Sequence, residues 1–344
     1  MQHKNYTDVY KRIYKARDKC RNTKEVNKKQ GDFGGMKYCV GIDIGGTTMK
    51  VAIFTEAGEY LDKWEVITNT ANEGIAILPD VTTSVKNKLM EHHIEMNQLL
   101  GCGIGVPAPV NNEGIVNGSA NLGWKYKEVK KEAEELLGVP VVVGNDANVA
   151  ALGEMWKGGG MGYQNLVMVT LGTGVGGGII CNGKILNGFN GAGGEIGHIC
   201  VNYQEEDHCG CGNHGCLEQY SSATGVVRVA KKYLTHNTED TVLNNQELSA
   251  KAIFDAVNSG DKVAEEIANE MCSYLGYAIA NIAVIVDPEA VVIGGGVSRA
   301  GQPLLDLVEK YYREKMFFSN KNVEFKLATL GNDAGICGAA KLVL

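Results

Sequence analysis

One pattern occurs twice in this chain, and it limits the possible folds more than any other feature. The first copy begins at Lys37: Val40, Ile42 and Ile44 alternate, Gly45-Gly46 form a turn, Met49, Val51 and Ile53 alternate, and Glu56-Ala57-Gly58 lead into a third run. Apolar residues with a period of two place one face of a strand on a core, and glycines between such runs mark reversals. The second copy, LVMVTLGTGVGGGIICNGKIL, begins at residue 166, with Gly172 falling on Gly45 and Gly183 nearly on Gly58. A dinucleotide-binding loop would lead from its glycines into a helix, whereas these lead into another strand. Two such meanders separated by helices predict two related α/β domains facing each other across a cleft.

The rest of the pattern fills in that plan. Helices are predicted around 73–92 and 126–137, with a strand at 101–106 between them. The segment VPVVVGNDANVAALGEMWKGG runs from a buried strand into a helix. A long helical stretch covers 262–285, a glycine loop AVVIGGGVSRAG follows, and DAGICGAAKLVL forms a terminal helix whose small residues suit close packing on a sheet. At 344 residues, two domains are the default. Their expected bounds are 37–165, completed by the terminal helix at 332–344, and 166–331, which carries a cysteine-rich loop at 195–219.

Residues 1–36 stand apart. They hold ten Lys/Arg against four Asp/Glu, a net +6 that leaves −13 for the remainder of a chain whose total is −7. Tyr6, Val9, Tyr10, Ile13 and Tyr14 have helical spacing after Thr7, but one short helix has no core of its own, so a loosely ordered basic extension is expected. Met36 directly precedes the first strand, and Gln30-Gly31-Asp32 can be encoded by codons containing a ribosome-binding GGAG. Translation is therefore expected to start at Met36, which intact mass spectrometry of protein from the native host would test.

The net charge of −7 gives no sign of a nucleic-acid partner. No apolar run reaches the ~18 residues of a membrane span, and no signal-peptide pattern opens the chain. Of ten cysteines, three cluster at Cys209, Cys211 and Cys216 and the others are scattered, which is not a disulfide framework. A cytoplasmic protein with one metal-type cluster is expected.

Three constellations carry chemistry. In DIGGTT the glycines let backbone N–H groups approach phosphate, Thr47 and Thr48 add hydroxyl donors, and Asp43 is placed to hold Mg²⁺ through water. GTGVGGG, which includes Thr173 and Gly174, is placed to cradle the other end of a triphosphate. Either loop alone is as well read as a hairpin, but two matched copies together with GGGVS point to a nucleotide. In GNDAN, Asp146 ends a strand and opens a helix, so it is either the helix N-cap or a reactive group beside the cleft. A helix N-terminus would keep it ionised and a weak base, which phosphoryl transfer tolerates because its loose transition state asks mainly for orientation. Finally, Cys209-x-Cys211-x4-Cys216 with His198 upstream supplies a Cys₃His zinc set, with His208 and His214 as rival imidazoles. A zinc ion with four protein ligands has no open position for substrate, so its expected job is to fix the loop that bears Glu195, His198 and Glu218. Carboxylates of that kind suit vicinal sugar hydroxyls. Loss of one thiolate is then expected to weaken sugar binding and largely spare ATP.

Together GIDIGGTTMK, GNDANVAALGE, LGTGVGGG, GEIGHICV, CGCGNHGCLEQ and VVIGGGVS, in that order over Lys37–Leu344, resemble the ROK family of repressors and sugar kinases, most closely its glucokinase branch. The resemblance implies the duplicated actin-like, ribonuclease-H-like ATPase fold, and ATP- and Mg²⁺-dependent phosphorylation of D-glucose at its 6-hydroxyl. It implies Asp146 as the base that orients that hydroxyl, and Asn121, Asn145, Glu195, His198 and Glu218 as sugar contacts. Asp43, Gly45, Gly46, Thr47, Thr48, Lys50, Thr173, Gly174 and Gly294, Gly295 and Gly296 fall where ATP is held, and His198, Cys209, Cys211 and Cys216 match the zinc ligands. A homodimer is implied as well. One departure is Ala108 in GVPAPV, where family members often read GVPGPV; a glycine there with positive φ would change the loop shape. The family's repressors carry a winged helix-turn-helix that residues 1–36 are too few to form. A kinase for N-acetylmannosamine or fructose is the alternative among enzymes, and a sugar-responsive regulator without turnover is the alternative outside them.

Overall fold

The computed structural model describes residues 35–236 and 238–344. The helix expected over Tyr6–Tyr14 and the basic segment before residue 35 lie outside the described residues.

The two meanders become two sheets with one topology. Strands β1 (Tyr38–Ile44), β2 (Thr48–Thr55), β3 (Tyr60–Ile67), β4 (Leu99–Val106) and β5 (Val141–Asn145) lie in the order β3-β2-β1-β4-β5. Strands β6 (Leu166–Leu171), β7 (Val175–Cys181), β8 (Lys184–Ile185), β9 (Ala290–Gly294) and β10 (Glu324–Leu327) lie in the order β8-β7-β6-β9-β10. In each sheet the first three strands are antiparallel, and the last two join the first strand's other edge in parallel. The matched turns agree: Gly58 and Gly183, each between a second and third strand, have φ of 83° and 72°. This is the duplicated actin-like architecture.

Helices α1 (Ile77–Glu91) and α2 (Val129–Leu137) cover the first sheet, contributing Leu78, Val81, Val85 and Ala133 to its core. Helices α4 (Ala223–His236), α5 (Ala250–Asn258), α6 (Lys262–Val286) and α7 (Gln302–Lys315) cover the second. Two more helices, α3 (Asp146–Lys157) and α8 (Ala334–Lys341), pack directly on each other. Their approach depends on small residues: a Cβ added at Gly338 would fall 1.7 Å from the Val149 carbonyl oxygen, and one at Gly103 of β4 would fall 1.7 Å from that of Ala339. Such distances allow no side chain, which is why half of the apolar residues in DAGICGAAKLVL are alanine and glycine.

Several element boundaries differ from expectation. The helix expected over 73–92 is two pieces, Ala71–Gly74 and α1, because Asn72, Glu73 and Gly74 have φ of 52°, 60° and 68° and break the helical path. Helix α2 begins at Val129 rather than 126, since Lys127 exchanges both backbone hydrogen bonds with Val116 at 2.9 Å. The terminal helix starts at Ala334, after a 3₁₀ turn at Gly331–Asp333. Ala108 is not among the residues with positive φ, so its substitution for glycine leaves the loop unstrained. Among the described residues, no helix is long and apolar enough to cross a membrane.

Candidate active site

A cleft of about 480 Å³ lies where the strand ends of both sheets meet; Asp43, Lys50, Asp146, Thr170, Gly295 and Asn332 are among its lining residues. Open α/β sheets characteristically place ligands outside the carboxyl ends of their strands. Here β1 delivers Asp43, and β5 leads directly into α3 and Asp146.

The cap of α3 is Asn145, not Asp146. The Asn145 Oδ1 accepts from the N–H groups of Ala147 (3.0 Å) and Asn148 (3.1 Å), while its Nδ2 donates to the Ala108 carbonyl (3.3 Å). Asp146 is thereby released from capping duty and held at the first helical position, where its Oδ1 accepts from Ala147 N–H at 2.8 Å. The expected weak base is corrected too. Burial pushes the Asp146 carboxyl above its ordinary range, with the charge of Glu195 adding to the rise, and the Ala147 N–H only partly offsets it. Asp43 is pushed up to about 6, first by burial and then by the charge of Asp146, against the pull of Lys50. Lys50 itself donates from Nζ to the Asn332 carbonyl at 3.2 Å.

The glycine turns are built differently from the sequence expectation. Gly45 N–H donates to the Thr48 carbonyl, and Gly172 N–H donates to the Gly174 carbonyl, each at 3.0 Å. The first glycine of each turn therefore closes the hairpin and has no N–H left for phosphate. The exposed residues are Gly46 and Thr47 in one turn and Thr173 in the other. Asn121 sits over the first turn: its carbonyl oxygen would lie 3.3 Å from a Cβ at Gly46. Gly294 ends β9, and Gly295, at φ 86°, turns the chain into Gly296 and the short 3₁₀ helix Val297–Ala300.

In the cysteine-rich loop, His198, Cys209, Cys211 and Cys216 bring one donor atom each within 4.8 Å of one another. Cys209 Sγ is 3.8 Å from His198 Nδ1, and Cys211 Sγ is 3.7 Å from Cys216 Sγ. A tetrahedral ion at about 2.3 Å from sulfur and 2.0–2.1 Å from nitrogen separates its ligands by roughly 3.6–3.8 Å, so the donor set fits zinc. His208 and His214 do not join the set; their rings pack on each other with centroids 4.1 Å apart. Buried Gln219 braces the loop, accepting from Cys216 N–H (3.0 Å) and donating to the Asp207 carbonyl (2.9 Å).

Glu218 holds a position that its sequence neighbourhood did not predict. One carboxylate oxygen accepts from Val175 N–H at 3.0 Å, and the other lies 3.8 Å from Cys209 Sγ. The side chain thus joins the cysteine loop to the second glycine turn. Glu195 is exposed and close enough to Asp146 to act on it electrostatically. Glu154 was missed altogether. Fully buried on α3, it accepts from the N–H groups of Gly159 (2.7 Å), Thr329 (3.1 Å) and Leu330 (2.9 Å). The signal was present as a single carboxylate closing GNDANVAALGE, a helix otherwise dominated by small and apolar residues.

Comparison with known proteins agrees with this arrangement. The ROK family model matches residues 39–344. The glucokinase of Halalkalibacterium halodurans is 43% identical over 313 residues, covering 89% of this chain and 95% of that protein. Among solved structures, a ROK family glucokinase from Streptomyces griseus in complex with glucose and AMPPNP superposes with a TM-score of 0.68 at 34% identity, covering 90% of this chain and 99% of that one. The ROK hexokinase from Thermus thermophilus superposes with a TM-score of 0.75 at 28% identity, covering 88% and 96%.

Proposed function

The chain belongs to the ROK family, and we infer that within it this protein is a glucokinase, transferring the terminal phosphoryl group of ATP to the 6-hydroxyl of D-glucose. The observation that carries the reading is the cleft: a largely buried carboxylate, Asp146, at the start of a helix, with Asp43, Lys50 and the Gly295-Gly296 turn lining the same space. A regulator that only binds sugar has no need of that set, and the likeness to glucokinases supports the enzyme.

Asp146 accepts a hydrogen bond from the 6-hydroxyl, aims the oxygen at phosphorus, and takes its proton as the bond to phosphorus forms. Its raised proton affinity suits the second part of that task. Lys50 supplies fixed positive charge to the phosphates. Magnesium, when held through water near Asp43, would neutralise charge on the transferred group. The exposed Gly46, Thr47 and Thr173, with the half-buried Thr48 and Gly174 and the Gly294–Gly296 loop, receive the nucleotide. Asn121, Asn145, Glu195, His198 and Glu218 receive the sugar, with Asn145 contributing only what its capping leaves free.

His198, Cys209, Cys211 and Cys216 are the residues that would hold zinc, and with all four positions filled it would supply rigidity and no chemistry. Coordination through Nδ1 would leave the other ring nitrogen of His198 for a hydroxyl. The two sheets support reading the chain as halves bounded at 37–165 with 332–344 and at 166–331. A cytoplasmic homodimer is the assembly proposed.

A coupled ADP-release assay over a hexose panel tests the reading. Glucose is expected to give the highest kcat/KM. Preference for N-acetylmannosamine or fructose would move the assignment within the family, and glucose binding without ADP release would overturn it in favour of a regulator.

A further inference from the structure

Outside the four metal donors, one more sulfur lies beside the cysteine loop. Cys200 pairs with Cys216 across an isolated antiparallel bridge. The flanking hydrogen bonds run from Val201 N–H to the Gly215 carbonyl (2.8 Å) and from Leu217 N–H to the Ile199 carbonyl (2.9 Å). That pattern makes Cys200 and Cys216 a non-hydrogen-bonded pair, where opposed Cα atoms stand about 4.5 Å apart. Disulfides span Cα separations of about 4.4–6.8 Å, so a pair of this type falls within the range a disulfide can bridge.

Two further observations favour the bridge. Cys200 Sγ lies against the opposite segment: a Cβ at Gly215 would be 3.3 Å from it and 1.9 Å from the Asn202 carbonyl oxygen, so only glycine fits beside the sulfur. Both cysteines also line one open groove of about 400 Å³, together with His198, Tyr203 and His214. By contrast Cys39, Cys102, Cys272 and Cys337 are completely buried in apolar cores. Cys216 belongs to the metal set and Cys200 does not.

We propose that Cys200 and Cys216 form a reversible disulfide site, closed by peroxide, that withdraws one thiolate from the metal knot. Peroxide oxidises the half-buried Cys200 thiol to a sulfenic acid, its O–O bond breaking and one water leaving. The Cys216 sulfur then attacks the Cys200 sulfur, the S–O bond breaks, and the leaving hydroxide becomes a second water by taking one proton, from the Cys216 thiol or, where Cys216 is a metal-bound thiolate, from solvent. In sum two thiols and one peroxide give one disulfide and two waters; the sulfurs lose two electrons and the peroxide oxygens gain them. Three donors, His198, Cys209 and Cys211, then remain for the metal. The metal-release part rests on the zinc reading above; the disulfide does not.

The test uses the reduced, zinc-loaded full chain, with metal content fixed first by elemental analysis. Hydrogen peroxide is titrated in while a chromogenic chelator reports free zinc, and unreduced peptides are mapped by mass spectrometry. The expected result is a Cys200–Cys216 crosslink appearing in proportion to zinc release, with a dithiol plus zinc restoring both. Cys200→Ser should release zinc at least about tenfold more slowly under the same exposure. Cys200→Ala, matched to the parent by circular dichroism, guards against a folding defect in the serine variant. A crosslink confined to other cysteines, or zinc release at the parental rate from both variants, would overturn the proposal. If the protein as purified binds no zinc, the metal reading fails, and the peptide map still decides whether the disulfide forms.

Discussion

Replacing Glu154 by glutamine should destabilise the protein by about 2.5–5 kcal/mol, a figure that follows from three hydrogen bonds. One carboxylate oxygen accepts from Gly159 and Thr329, the other from Leu330. An amide oxygen in the first position keeps two of the bonds, though without the carboxylate's strength. The amide nitrogen then faces the Leu330 N–H, donor against donor. Losing one carboxylate bond costs about 1.5–3 kcal/mol, and weakening the other two adds about 1–2 kcal/mol. At ~2.1 cal/mol/K of unfolding entropy per residue, a chain of this size loses roughly 3–7 °C of Tm. Differential scanning calorimetry, with circular dichroism to confirm the fold, measures it. The same residue governs the cleft, because the two loops it grips, 158–160 and 329–330, are where the chain crosses between the sheets. Just beyond Leu330, Asn332 receives Lys50. Turnover should therefore fall by about tenfold while glucose KM changes little. A Tm loss under about 1 °C would refute the reasoning, since it would mean that the three N–H groups find other partners.

Asp146→Asn should lower kcat by about 10²-fold or more with glucose binding nearly intact; turnover at the parental rate would leave Asp146 as a helix residue only. Asp43 offers a test by pH. Its folded pKa of about 6 lies above the ordinary value of 3.8, so the stability it contributes is fully present below about pH 4 and lost as pH rises through 6. Asp43→Asn should accordingly stabilise the ligand-free protein at pH 7.5, by up to about 3 kcal/mol, and give little gain near pH 4; an equal gain at both values counts against the burial argument. Cys211→Ser should abolish stoichiometric zinc and raise glucose KM by about tenfold or more. Because Glu218 also binds Val175 N–H, the KM for ATP should rise as well, contrary to the sequence expectation; an unchanged ATP KM in the folded, zinc-free variant would show that the turn holds without the loop.

What could be read in the sequence were features carried by local pattern. Alternation through Val40, Ile42 and Ile44, and again through Val167 and Val169, announces strands because one face must be buried whatever lies above it. The duplicated glycine turns announce the repeat, and the strand order of both sheets follows it. Cys209, Cys211 and Cys216 announce a metal set because a tight ligand spacing has few other uses. What could not be read depends on partners distant in the chain. The choice of His198 over His208 and His214 is made by the fold, which stacks the latter two on each other. The base strength of Asp146 was misjudged because the helix terminus is local and visible, whereas the burial that outweighs it comes from the whole cleft. Asn145 as the cap was equally available in GNDAN, where either residue has the chemistry and only backbone geometry decides.

If His198, Cys209, Cys211 and Cys216 hold zinc as proposed, the position of Glu218 gives a phosphate-handling protein a use for such a knot. Sugar and nucleotide must be held at one fixed separation, and the side chains that hold them belong to segments far apart in sequence. Cys216 and Glu218 are two residues apart, so whatever fixes the first fixes the second to within a side chain's reach. Glu218 then fixes Val175, at the edge of the turn that includes Thr173 and Gly174. His198 extends the same frame toward Glu195, three residues earlier and beside Asp146. On the proposed assignments, the four donors would thus be followed on one side by the turn assigned to the nucleotide and on the other by the carboxylate assigned as base. A loop of ordinary flexibility would let these two neighbourhoods drift independently, and phosphoryl transfer tolerates little drift between attacking oxygen and phosphorus. On this argument the metal acts through geometry alone, and losing it should depress catalysis through both substrates together.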